Sequence, residues 1–243
     1  MDNTVKEPLI HLSKREDMSF GKKWLVRIIA ILLSLIVCAG FIFIIIKMNP
    51  VEVYEGIVEG AVGTGRRFWV TARDALTLLC VAVAVTPAFK MKFWNIGAEG
   101  QILMGCVASA AMMIYAGNAL PTGLLLVLMF VCSFIAGGIW GIIPAFFKAR
   151  WNTNETLFTL MLNYVAMQVV TFCIVYWENP AGSNSVGIIN APTRAGWLPQ
   201  LFGLDYGWNL AIVLLLTVLM FIYMKRTKHG YEIAVVGESE NTA

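Results

Sequence analysis

Charge is what this sequence has least of. Asp, Glu, Lys and Arg make up 14% of its 243 residues, against about 25% in an average soluble domain. Histidine is down to His11 and His229. The cysteines Cys38, Cys80, Cys106, Cys132 and Cys173 stand far apart in apolar stretches, without a CxxC or a Cys/His pairing. A zinc site and a disulfide framework are therefore excluded, and buried free thiols are expected. GxxxxGK[ST], HExxH and GxSxG are all missing, so the chain carries no P-loop and no familiar hydrolase centre, and no cofactor is implied. A net charge of +3 is too small to argue for nucleic acid. What fills the space is apolar: 58% of residues are hydrophobic and the mean hydropathy is +0.73. A disordered tail, a collagen-like chain and a conventional soluble enzyme are excluded, which leaves a polytopic membrane protein.

A transmembrane helix needs roughly 20 apolar residues to cross a core of about 30 Å. Charge-free runs cover 28–46, 75–89, 100–147, 156–177 and 206–224. The longest is too long for one helix, and Gly117 to Pro121 supplies a turn in its middle. Splitting it gives spans at 96–116 and 122–147, and an all-α bundle of six spans in total. Only 75–89 is short, so it is expected to be tilted, interrupted, or capped by snorkelling Lys90 and Lys92. Residues 1–24 form a polar tail, 25–224 the membrane domain and 225–243 a cytoplasmic segment. Met48–Asp74 and Glu178–Asp205 are external connections, the first with some amphipathic character and the second irregular.

Basic residues set the orientation. With the N-terminus cytoplasmic, Lys6, Lys14, Arg15, Lys22, Lys23, Arg27, Lys90, Lys92, Lys148, Arg150, Lys225, Arg226 and Lys228 fall inside, which is 13 of 18. That asymmetry favours six spans with both ends in the cytoplasm. The first apolar run is too long for a signal-peptide core and reads as an uncleaved anchor.

Polar side chains within spans are costly unless they face protein or water, so they mark functional candidates. The first cluster is Asn95, Gly97, Glu99, Gly100 and Gln101, at the head of the third span. Asn95 and Glu99 are four apart and would share a helical face. The two glycines permit a break of the kind tolerated where backbone lines a cavity or is buried in protein. The competing reading is an interfacial helix start, with Glu99 near the N-terminal dipole. The second cluster is Glu155, Thr159 and Asn163, an i, i+4, i+8 stripe that should face the bundle interior, either on a solute path or in interhelical hydrogen bonding alone. Gly137 and Gly141 form a GxxxG that signals close helix packing. Trp69, Trp94, Trp140, Trp151, Trp177, Trp197 and Trp208 fall mostly near span ends, as an interfacial belt would.

Three segments carry a family resemblance. Phe93 to Gln101, reading FWNIGAEGQ, resembles the "NIGAEGQ" signature of ABC-transporter permeases of the branched-chain amino acid/simple sugar/nucleoside class. Glu155 to Tyr164, ETLFTLMLNY, looks like their "TLMLNY" segment, and Gly230 to Ala243 resembles the start of their cytoplasmic coupling loop. The wording is closest to the nucleoside and simple sugar branch. The resemblance implies a multi-pass subunit of a prokaryotic plasma membrane that imports solute by alternating access, paired with a second permease subunit. It further implies a separate cytoplasmic ATPase, since this chain has no P-loop, and an extracellular solute-binding protein. Gly230, Glu232, Gly237 and Glu238 would then belong to the helix that docks on the ATPase. Family members carry further spans beyond this loop, so the resemblance also implies a C-terminal truncation. The alternatives are a secondary ion-coupled transporter with Glu99 as its proton or sodium site, and an intramembrane enzyme using Glu99 or Glu155. Against the first, matched inverted halves are not visible; against the second, no convergent ionisable partner is.

Overall fold

A computed structural model describes residues 19–201, 203 and 206–238. Most of the expected tail (1–18) and the last part of the coupling segment (239–243) lie outside the described residues. Every regular element described is helical. Six helices are long and apolar enough to cross a membrane, in agreement with the count from charge-free runs. The chain divides into a unit ending at Thr71 and a unit from Ala72 onward.

In the first unit, α1 (Phe20–Phe41) continues through a π-helical turn, Ile42–Ile46, before Lys47 enters the left-handed region at φ 59°. The span thus begins well before Ile28, because Lys22, Lys23 and Arg27 are helical and their stems extend the apolar surface. Asn49 restarts the chain by capping: its Oδ1 accepts from the Val51 N–H at 3.1 Å, and Pro50 occupies the first turn of α2 (Pro50–Val62). At 13 residues α2 is too short to span. The Tyr54 hydroxyl donates to the Leu35 carbonyl at 2.6 Å and folds it back along α1.

The expectation of a short second span is corrected. Helix α3 runs Gly65–Lys90, 26 residues, straight through Arg66, Arg67, Arg73 and Asp74. Those charges interrupted the apolar run without interrupting the helix. Thr64 stands before it and accepts from the Arg67 N–H at 3.2 Å. The connection expected over Met48–Asp74 accordingly shrinks to α2 and its flanks.

The second unit is organised around three helices: α4 (Ala98–Ala116), α5 (Thr122–Trp151) and α6 (Glu155–Tyr176). The α4–α5 turn lies where Gly117 to Pro121 placed it. Small residues let α4 and α5 approach closely. The Ser133 hydroxyl donates to the Gly105 carbonyl at 2.9 Å, and a Cβ on Gly141 would lie 3.0 Å from Gln101 Nε2. The GxxxG of α5 is therefore the seat of α4. Asn152 closes α5 at φ 49°, and the Asn154 Oδ1 caps α6 by accepting from the Leu157 N–H at 3.1 Å. Helix α7 (Gly207–Arg226) is followed by one extended residue, Thr227, whose hydroxyl accepts from the Gly230 N–H at 3.1 Å and opens α8 (Lys228–Glu238). The cysteines are free, but the expectation of buried thiols is corrected: Cys38 and Cys106 are exposed and the others half-buried.

Candidate functional site

From Met91 the chain leaves α3 and turns at Lys92 (φ 59°): the Met91, Lys92 and Phe93 N–H groups close back on the Pro87, Phe89 and Ala88 carbonyls, and the Asn95 N–H on the Phe93 carbonyl. Inside a membrane protein the remaining backbone N–H and C=O groups of such irregular chain must also find partners. Those of Ile96 find α6. The Ile96 N–H donates to Thr159 Oγ1 at 3.2 Å, and the Asn163 Nδ2 donates to the Ile96 carbonyl at 3.0 Å. The same amide's Oδ1 accepts from the Gly100 N–H at 2.9 Å, satisfying one of the orphan donors of the α4 N-terminus. Asn163 thus clamps the last irregular residue and the first helical turn together. Thr159 is fully buried and Asn163 is 4% exposed. Asn163 lies eight residues into α6, about 12 Å along it at 1.5 Å per residue.

This arrangement corrects one expectation and relocates others. Asn95 and Glu99 do not share a helical face, because Asn95 precedes the helix: its side chain turns back to accept from the Gly97 N–H at 2.9 Å. Glu99 sits in the first turn of α4 and is exposed. Gly97 and Gly100 are both buried. A Cβ on Gly100 would fall 2.9 Å from both Asn163 Oδ1 and Trp140 Nε1, so the close approach of α4, α5 and α6 requires glycine there. Gln101 lies one turn over Gly137 and Gly141. Of the residues expected at this site, the structure gathers Asn95, Gly97, Gly100, Thr159 and Asn163. It sets Gln101 at the α5 contact and leaves Glu99 apart.

Glu155 marks the open end of the clamp. Its carboxylate pairs with Lys148 Nζ of α5 at 3.1 Å and lies within hydrogen-bonding reach of the Trp94 backbone. In the sequence Lys148 bears only on orientation; its position one turn before the α5 terminus is the signal for this pairing. Trp140 is one of the tryptophans that an interfacial belt does not explain: its Nε1 is buried and makes no hydrogen bond. Its place inside the GxxxG, between Gly137 and Gly141, signals a helix contact.

The residues expected to dock on an ATPase fall on α8. Gly230 and Gly237 are buried, while Glu232 and Glu238 are exposed, Glu232 pairing with Lys228 at 3.6 Å. Any Cβ on Gly237 would collide with the Lys90 carbonyl at the end of α3. Gly237 therefore seats α8 against its own chain, and its exposed neighbours are the ones free to meet another protein. No group of three or more potential metal ligands occurs among the described residues.

A family model described as "Branched-chain amino acid transport system / permease component" matches residues 69–243. The chain is 27% identical to a glucose ABC transporter permease protein of Haloferax volcanii, over 87% of this chain and 58% of that one. It is 29% identical to a nucleoside ABC transporter permease protein of Lactococcus lactis, over 89% and 61%. Identity is 28% to a guanosine ABC transporter permease protein of Bacillus subtilis, over 90% and 63%. The chain thus spans about three-fifths of the length of these relatives. No solved structure matches it.

Proposed function

Because this chain belongs to the branched-chain amino acid transport system / permease component family, we propose that it acts as a membrane-spanning permease subunit of an ATP-driven importer of nucleosides or simple sugars. The substrate branch is taken from relatives named for nucleoside, guanosine and glucose transport. Both described ends lie in the cytoplasm in this reading, with the connections after α1 and α6 outside. ATP hydrolysis belongs to a separate subunit that meets the exposed side of α8 through Glu232 and Glu238. A second permease subunit completes the path, and an external solute-binding protein delivers to it in a prokaryotic plasma membrane.

The observation that carries the reading is the Asn163 clamp. It holds the irregular backbone at the entry of α4, where a small displacement can open or close a path between packed helices. In that reading Glu99, exposed on the first turn of α4, faces the path rather than the clamp. Uptake of radiolabelled guanosine and glucose is measured in cells expressing the chain with the ATPase and binding protein of its own system. Uptake should stop on ATP depletion and survive collapse of the ion gradients; the reverse pattern would overturn the proposal. Glu99→Ala should reach the membrane normally and lower that uptake, and wild-type uptake would remove Glu99 from the path.

A further inference from the structure

Two depressions in the second unit share a wall. One, of about 230 Å³, lies between α3 and α7 with Arg73 on its rim. The other, of about 590 Å³, is bounded by the loop before α7, including Arg194 and Trp197. Tyr206 and Asn209 line both, so the two adjoin across these side chains, and the larger part alone is within the roughly 300–1,000 Å³ typical of small-molecule pockets. None of the residues singled out in the sequence for a solute path lines it.

Its chemistry is selective. Arg73 sits eight residues into α3, about 12 Å along the helix, where a lone guanidinium is costly. Its Nε and Nη2 both donate to Asp74 Oδ1, at 3.0 and 2.9 Å, and its guanidinium lies 5.4 Å from the Tyr206 ring centroid. At Arg73 a phosphate would have to compete with that carboxylate, and the other cation of the lining, Arg194, packs its guanidinium 5.9 Å from the Trp197 ring centroid. Among the described residues no carboxylate lines either part, so the ammonium group of an amino acid finds no counter-charge there. What the depression offers is aromatic faces (Trp197 and Tyr206) beside the Asn209 amide and the N–H groups of Arg73 that Asp74 and Tyr206 leave over. A sugar ring suits this set: its apolar face stacks on an aromatic ring, and its hydroxyls meet amide and guanidinium.

We infer that the α3–α7 depression binds a neutral ring bearing neighbouring hydroxyls, either the ribose of a nucleoside or a simple sugar. Tyr206 and Trp197 stack on the ring, and Asn209 and Arg73 hydrogen-bond its hydroxyls. The inference deepens the transport reading and rests on it for the choice of probes. The test is saturation-transfer NMR on the full chain in lipid nanodiscs, with guanosine, glucose, leucine and guanosine monophosphate. Saturable signal is expected from guanosine or glucose, and from neither leucine nor the monophosphate. Guanosine alone assigns a nucleoside; glucose alone assigns a sugar. Asn209→Leu should weaken that binding at least tenfold with unchanged helix content; Trp197→Leu, on the exposed loop, gives the same comparison if the first variant loses helix. Silence from both guanosine and glucose, equal binding of leucine or the monophosphate, or undiminished binding by the folded variants would overturn the inference. ATP-driven uptake that persists alongside such a result rejects the depression alone, whereas absence of uptake for every solute rejects the transport reading.

Discussion

Helices α1 and α6 are both spans, and they are built on opposite plans. The α1 span is the most hydrophobic of the six and contains no buried residue; α6 is considerably less hydrophobic and has the largest buried share. The buried residues of α6 are Thr159, Asn163 and Ala166, two of them polar and all of them modest in size. In lipid the hydrocarbon tails are as apolar as leucine, so hydrophobicity gives a helix no preference for a neighbouring helix. What draws helices together is close van der Waals approach and hydrogen bonds, and these need small and polar residues. Hydropathy therefore locates the spans, while polarity locates the packing.

Four substitutions sharpen or break this comparison. The largest effect is expected from Asn163→Leu, which makes α6 more hydrophobic yet strips partners from the Ile96 carbonyl and the Gly100 N–H. Leaving one buried and one part-buried backbone group unpaired should cost about 2–4 kcal/mol, read as a lowered melting temperature in detergent; an unchanged melting temperature would show that hydropathy, not polarity, stabilises this helix. Next, Gly237→Val should cost about 2 kcal/mol through the collision with the Lys90 carbonyl. Limited proteolysis should then release α8 while the spans stay protected, and wild-type cleavage would place the contact elsewhere. Thr159→Val keeps the shape but removes one acceptor, and should cost about 1 kcal/mol in the same melting assay. Smallest of all, Leu33→Ala on α1, where the side chain is 60% exposed, should shift stability by no more than about 0.5 kcal/mol. A loss there equal to that of Thr159→Val would mean that α1 is packed as tightly as α6.

The same contrast explains what could be read in the sequence. Span number was legible because charge-free runs report lipid exposure, and α4, α5, α6 and α7 lie within a few residues of their expected limits. The run failed at α3, where Arg73 and Asp74 neutralise one another at 2.9 Å and so stay within a helix that a charge count had stopped at Ala75. The i, i+4, i+8 stripe of α6 was legible because helical periodicity is regular. Asn95 and Glu99 were paired by the same periodicity, and there it failed, since the backbone before Gly97 is not helical. No local pattern could foresee that Asn163 would reach across 63 positions to Gly100, or that Trp140 would bury its N–H beside them. These are contacts between helices, and they depend on how the helices are placed rather than on spacing within either.

The seat of α8 ties two distant ends of this architecture to one strand of chain. Gly237 rests on the carbonyl of Lys90, and seven residues later, at Gly97, the chain is already within the grip of α6. A load applied to α8 is delivered over that tether to the entry of α4, with no intervening helix to bend. Linkage makes the traffic two-way. Whatever biases the position of α8 biases the entry of α4, and whatever tightens the entry of α4 biases α8 by the same coupling free energy.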